Sequence, residues 1–256
     1  MTRKDIPVIV LIFLLAACST RPAPPDGDVR LNTYYDKVDG IAAAGANELK
    51  VSVIGVIRSQ GWELPVHLFS RAAIGEGAGK ILVLSDSGGS TQISAEIILE
   101  TARQLVTRPE FYGNVTLDLI SIAVPPTDLN RKTFDRSERN ILRHFLRTHD
   151  YDLVILHQVN SEQVGFSIIQ KGMLQDEAAF ALSRVRDNGF FVAGTSRNIS
   201  KKTFRKGGLP DLLLRQSGAV VMVFRSGQNE EKEKTVFQHL LAQETVTRLL
   251  MKNFYR

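Results

Sequence analysis

The chain is almost without cysteine: its one thiol, Cys18, excludes an internal disulfide and any cysteine-built zinc or iron–sulfur centre. Aromatic residues make up only 7%, and long apolar runs are absent, which excludes a polytopic membrane protein. Nineteen glycines and nine prolines are too few for a collagenous or low-complexity chain. An excess of one charge is also missing: the formal net charge of +5 suits contact with anionic surfaces but is too weak to argue for nucleic acid. What is present is a globular composition, 43% hydrophobic and 23% charged over 256 residues. That length favours one sizeable core, or two small domains.

The N-terminus reads as an address. Arg3 and Lys4 precede a nearly unbroken apolar stretch from Ile6 to Ala17, too short to span a bilayer comfortably but suited to the core of a secretory signal. It ends in Leu15-Ala16-Ala17-Cys18, which resembles the bacterial lipobox. The resemblance implies cleavage before Cys18 and lipid on its thiol, each buried methylene of the acyl chains contributing ~0.8 kcal/mol. The alternative is a buried cysteine in an ordinary signal anchor. Removal of Arg3, Lys4 and Asp5 with the leader leaves a formal charge of +4. Ser19 after the cysteine, in the lipoproteins this segment resembles, goes with the outer membrane rather than the inner. The polar, proline-rich stretch from Ser19 to Asn32 reads as a tether. The expected organisation is a signal peptide over 1–17, a lipidated cysteine and flexible tether over 18–32, and one folded domain over 33–256.

The folded part alternates strand and helix patterns. Lys50–Arg58 and Glu63–Phe69 read as the arms of a hairpin turning at Gln60-Gly61. Lys80–Leu84, Val115–Val124, Asp152–Leu156, Phe190–Ala193 and Ala219–Phe224 read as further strands. Helical spacing covers Ile93 to Leu105, Asp135–Arg147, Asp176–Arg186, Pro210–Arg215 and Glu230–Asn253, the last with an apolar stripe through Val236, Phe237, Leu240 and Leu241. This order predicts an α/β domain: a mixed, mostly parallel sheet with helices on both faces. Sites in such folds lie at the carboxyl ends of strands, which directs attention to loops at Ser85–Thr91, Pro125–Arg131, His157–Phe166 and Arg225–Asn229.

Those loops, in that order, resemble the zinc carboxypeptidase superfamily, including its succinylglutamate desuccinylase-like and murein peptide amidase branches. Ile54–Leu68 is similar to the family's opening hairpin. Asp128-Leu129-Asn130-Arg131-Lys132-Thr133-Phe134 resembles its Asp-Leu-Asn-Arg-Asn-Phe signature, and Asp152 to His157 resembles the strand whose terminal His is a zinc ligand. Gly207-Gly208-Leu209 and the strand running to Arg225 resemble the segment that ends in the catalytic Glu. The family holds zinc with two His and one Glu, activates a water on the metal, and grips the substrate's terminal carboxylate with an Asn-Arg pair.

Against that pattern the chain has His157, Asn130 and Arg131, but Ser87 and Ser90 stand where the resemblance puts a His and a Glu ligand. Arg225 stands at or beside the catalytic Glu. A serine hydroxyl does not readily deprotonate to hold a metal. No His-x-x-Glu or His-x-x-x-His occurs, and His67, His144, His149 and His239 fall on strand or helix segments away from the four loops. No catalytic residue is therefore assigned and no cofactor is expected, with zinc returning only if an enzyme reading holds.

The same residues suit an anion. Asn130, Arg131, Arg225, Ser87 and Ser90 are the candidate ligand-binding residues, and His157 is a relic metal position or a satisfied strand histidine. Each has a plainer reading: a capped turn at Ser87–Ser90, a salt bridge from Arg131 to Asp128 or Asp135, a solvent-facing Arg225. The basic stretch Arg197–Lys206 reads as a solvated loop or as a contact to anionic lipid or cell wall.

The expected protein is a lipoprotein of the outer membrane, facing the periplasm. It binds a peptide or carboxylate, with peptidoglycan a candidate source, and makes no contact with nucleic acid. The alternatives are an active zinc metallocarboxypeptidase or murein peptide amidase, and a purely structural envelope component.

Overall fold

The computed structural model describes residues 29–73, 79–86, 92–113, 115–123, 131–160, 164–171, 174–193, 197–198, 208–227 and 231–254. Cys18, Ser87, Ser90 and Asn130, the leader and the tether to residue 28 lie outside them.

The chain opens with a helix, α1 (Val29–Ala44), which begins inside the stretch expected to be a tether. The reason is visible in the spacing: Leu31, Tyr34, Tyr35, Val38 and Ile41 form one apolar stripe and all five are buried. Strands β1 (Lys50–Ser59) and β2 (Trp62–Arg71) form the expected hairpin. Its two-residue turn, Gln60 at φ 51° and Gly61 at φ 83°, has the doubly left-handed form that matches strand twist.

The centre of the sheet is parallel. It comprises β3 (Lys80–Ser85), β4 (Thr116–Ile122), β5 (Leu153–Asn160) and β8 (Val220–Gly227). Antiparallel β6 (Ser167–Lys171) and the two-residue β7 (Arg197–Asn198) complete one flank, giving the order β1-β2-β4-β3-β5-β8-β6-β7. Leu82, Val83, Ile155, Met222 and Val223 are sealed at 0% exposure. Each contributes about 1.5–3 kcal/mol of burial, which explains why the central strands read as continuous apolar runs.

Four helices lie on one face: α1, α2 (Ile93–Thr107), α4 (Gln175–Asp187) and α6 (Lys232–Phe254). On the other lie α3 (Arg131–Thr148) and α5 (Leu209–Gln216). The molecule is the expected α/β domain with a mixed sheet and helices on both sides.

Besides α1, the far flank of the sheet differs from the sequence reading: Arg197–Asn198, read as part of a solvated loop, pairs with β6 as β7. Phe190–Ala193 does not form a strand; it contributes a single bridge, Phe166 to Val192. The pairing strand is β6 instead, whose Ser167, Gln170 and Lys171 break the apolar pattern by which a strand is recognised. The connections place a switch point between β3 and β5. The chain leaves β3 through α2 toward β4 on one side, and leaves β5 toward β6 on the other. Crevices at such points are where open α/β sheets hold ligands.

Candidate functional site

Paired residues on neighbouring strands point to the same side of a sheet, and successive residues to opposite sides. At the carboxyl ends of the parallel strands this produces two rows, one residue apart. The first is Ser85, His157, Phe224 and Ile168 across β3, β5, β8 and β6; the second is Asp86, Gln158, Arg225 and Ser167.

The first row faces α6 and is sealed. His157 is 0% exposed, as are His239 and Gln243 of α6 and Ser226 of β8. His157 Nε2 lies 2.7 Å from Gln243 Oε1, and its Nδ1 lies 2.8 Å from Nδ1 of His239. His239 Nε2 lies 2.8 Å from Ser226 Oγ. Gln243 directs its amide nitrogen to Tyr112 Oη at 3.3 Å and Thr101 Oγ1 at 3.4 Å, and Thr101 donates to the Ile97 carbonyl at 2.9 Å.

One proton arrangement satisfies the whole chain. Ser226 donates to His239 Nε2, His239 donates from Nδ1 to His157 Nδ1, and His157 donates from Nε2 to Gln243. It requires both imidazoles to be neutral, and burial drives them that way, pushing His157 down to about 4 and His239 well below its ordinary range. The bonding order of Ser226, His239 and His157 is that of a nucleophile, a base and an orienting group. With all three sealed, no substrate reaches it, and Phe166 and Phe224 pack edge-on against the rings.

This geometry corrects the placing of His239 away from the site loops. The helix brings it beside His157, 82 residues apart in sequence. Only the i, i+4 spacing of His239 and Gln243 on one helix face hinted at the pairing.

The second row faces the side of α3 and α5 and is half-buried throughout. Gln158 donates to Asp86 Oδ2 at 2.6 Å, and the Asp86 amide donates to the His157 carbonyl at 2.9 Å, closing the switch point between β3 and β5. Arg225 stands beside Gln158 on the next strand. Arg131 is described at its backbone, as the first residue of α3, on the same sheet edge and the same side as Arg225.

Arg225 therefore lies on the face of the sheet that α3 covers, and His157 on the opposite face. Asp86, Gln158 and Ser167 belong to this edge and were missed by the sequence reading. Asp86 was legible as the first polar residue after the buried Lys80–Ser85 run. Ser87, Ser90 and Asn130 lie outside the described residues.

No protein-family model matches the chain, and no curated protein matches it by sequence. Solved structures do. A metallo-carboxypeptidase from Burkholderia cenocepacia aligns with TM-score 0.62 at 8% identity, covering 86% of this chain and 69% of that one. Bovine thrombin-activatable fibrinolysis inhibitor, in complex with tick carboxypeptidase inhibitor, aligns with TM-score 0.61 at 12% identity, covering 88% and 97%. A Pseudomonas aeruginosa metallo-carboxypeptidase, in complex with (2-guanidinoethylmercapto)succinic acid, aligns with TM-score 0.58 at 11% identity, covering 86% and 69%. The chain has the zinc carboxypeptidase fold.

That fold implies zinc, and the residues present do not fit one. A catalytic zinc takes three protein ligands with free lone pairs. His157 offers none, because one nitrogen carries a donated proton and the other accepts from His239. The remaining positions that the resemblance assigns to metal chemistry are Ser87, Ser90 and the cationic Arg225. Among the described residues no three His, Cys, Asp or Glu side chains converge.

Proposed function

We propose that the protein is a lipid-anchored component of the bacterial outer membrane whose carboxypeptidase-like domain, facing the periplasm, holds a peptide by its carboxylate without cleaving it. Cell-wall peptides are the candidate ligand. The observation that carries this reading is the divergence of neighbouring residues: His157 spends both nitrogens in the core, while Arg225 stands half-buried at the strand edge. Arg225, the start of α3 at Arg131 and the preceding Asn130 would grip the anion. A planar guanidinium suits a carboxylate because it makes two parallel charge-assisted bonds. Asp86 and Gln158 fix the floor of the crevice and supply an acceptor for a ligand amide or ammonium group.

The test is calorimetry with a cell-wall peptide carrying a free terminal carboxylate and with its amidated twin. Binding of the free acid alone is expected, and it should weaken in both Arg131→Ala and Arg225→Ala. Metal analysis on protein purified without chelator complements this: one tightly held zinc per chain would overturn the non-catalytic reading. Intact mass and membrane fractionation test the anchor, with an acylated Cys18 in the outer-membrane fraction as the expected result.

A further inference from the structure

The described chain starts at Val29, and its position relative to the sheet is fixed by contacts. Lys37 of α1 pairs with Glu96 near the start of α2, and Gly45 closely approaches Val106 near the end of α2. The two helices therefore run in the same direction. Val29 precedes Lys37 by eight residues, about 12 Å of helix at ~1.5 Å per residue. Glu96 is only the fourth residue of α2, so α1 overhangs the start of α2. Since α2 begins at the carboxyl ends of the strands, the chain leaves the domain at the edge that carries Arg225. Cys18 lies eleven residues before Val29 and can stand at most about 40 Å away at ~3.3–3.6 Å per residue.

The same edge carries exposed apolar side chains. Val164 is 74% exposed, Phe191 66% and Phe237 48%. They are contiguous in the fold. Phe191 lies against Gly165, where any Cβ would clash with its ring, and the neighbouring Phe190 packs on Phe237 at 5.8 Å between ring centres. Phe237, expected in the buried stripe of α6, instead points outward. Lys232, five residues before it and so on nearly the opposite side of α6, pairs with Glu96 at 3.6 Å, so the patch lies at the same sheet edge as the tether's exit, across α6 from the α1–α2 pair.

We infer that Val164, Phe191 and Phe237 form a membrane-contact patch that seats this edge of the domain on the bilayer holding the lipid. The occupant is the lipid interface, because the chain ahead of Val29 joins the domain at this edge and holds it within about 40 Å of the anchor. Apolar side chains such as these gain by burial at that boundary, in proportion to the apolar area removed from water. The inference rests on the anchor reading above, and it adds that the carboxylate-holding crevice opens close to the membrane surface.

The experiment uses the full lipidated chain in phosphatidylethanolamine/phosphatidylglycerol vesicles. With Cys18 acylated, a cysteine introduced at Phe191→Cys is the one reactive thiol and takes an environment-sensitive fluorophore. Asp150→Cys, exposed at the opposite sheet edge, is the control. Brominated lipids should abolish most of the fluorescence at 191, less at Phe237→Cys and none at 150. Vesicle-bound, acylated protein with no quenching at 191, or with equal quenching at 191 and 150, overturns the inference alone. A Cys18 without acyl mass overturns the anchor reading and the inference with it. A dimer mass in detergent that protects the 191 label would assign the patch to a second copy and also overturn it.

Discussion

His157 and Gln158 are neighbours on β5, and so are Phe224 and Arg225 on β8, yet each pair divides between two environments. Toward α6, polar groups are sealed, and Ser226, His239, His157 and Gln243 hydrogen-bond to one another in a buried chain. Toward α3, Asp86, Gln158 and Arg225 keep partial contact with water. The same strand edge thus carries a sealed polar chain on one side and half-exposed polar and charged groups on the other. One residue of register separates them.

The largest effect is expected from removing an imidazole. His157→Ala leaves the His239 donor and the Gln243 carbonyl facing a cavity, and a loss of about 3–5 kcal/mol is expected in denaturant unfolding. Ligand binding by the fraction that still folds should be unchanged.

Acid should discriminate the two rows next. The folded state holds His157 at about 4 against ~6.5 when unfolded, so between these values the unfolded chain binds more protons. Stability is then complete above pH ~6.5 and falls as pH drops toward 4, by roughly 3 kcal/mol for His157 alone, with His239 adding in the same direction. Unfolding midpoints measured across that range check it; a flat profile would mean the imidazoles are not held neutral.

Arg225→Ala is expected to act on the other row. One charge-assisted bond is worth about 1.5–3 kcal/mol, so peptide affinity should fall roughly 10- to 100-fold in calorimetry while the melting temperature moves little. A mutant as unstable as His157→Ala would show that Arg225 is as structural as His157. The smallest effect belongs to the hairpin surface. Arg58 pairs with Glu63 at 2.7 Å with both side chains exposed, and Arg58→Ala should cost no more than about 0.5 kcal/mol by the same unfolding assay.

Local physics explains which of these features could be read in advance. The runs Ile81–Leu84 and Val221–Phe224 are buried on both faces, so their apolar character announced them; Gln60-Gly61 announced the turn. The helix at Val29–Ala44 was hidden by the proline-rich composition before it, although its apolar stripe begins at Leu31. The strand at Ser167–Lys171 was hidden by its polar alternates. At the site, the carboxyl edge of the strands was legible because parallel strands end on one side of the sheet, but β5 runs on to Asn160 and β8 to Gly227, so His157 and Arg225 stand within strands rather than in the loops expected there. The direction of His157 was not legible, since it depends on a helix 82 residues away. Asp86 needed only attention to the carboxylate directly after a buried strand.

Glu96 meets Lys37 of the first helix and Lys232 of the last. A load applied to the chain ahead of Val29 along the axis of α1 therefore enters the fold as shear. It must slide α1 along α2 and strip Leu31, Tyr34, Tyr35, Val38 and Ile41 together. Pulled in this geometry, the domain resists as a lap joint does, with the whole overlap sharing the force.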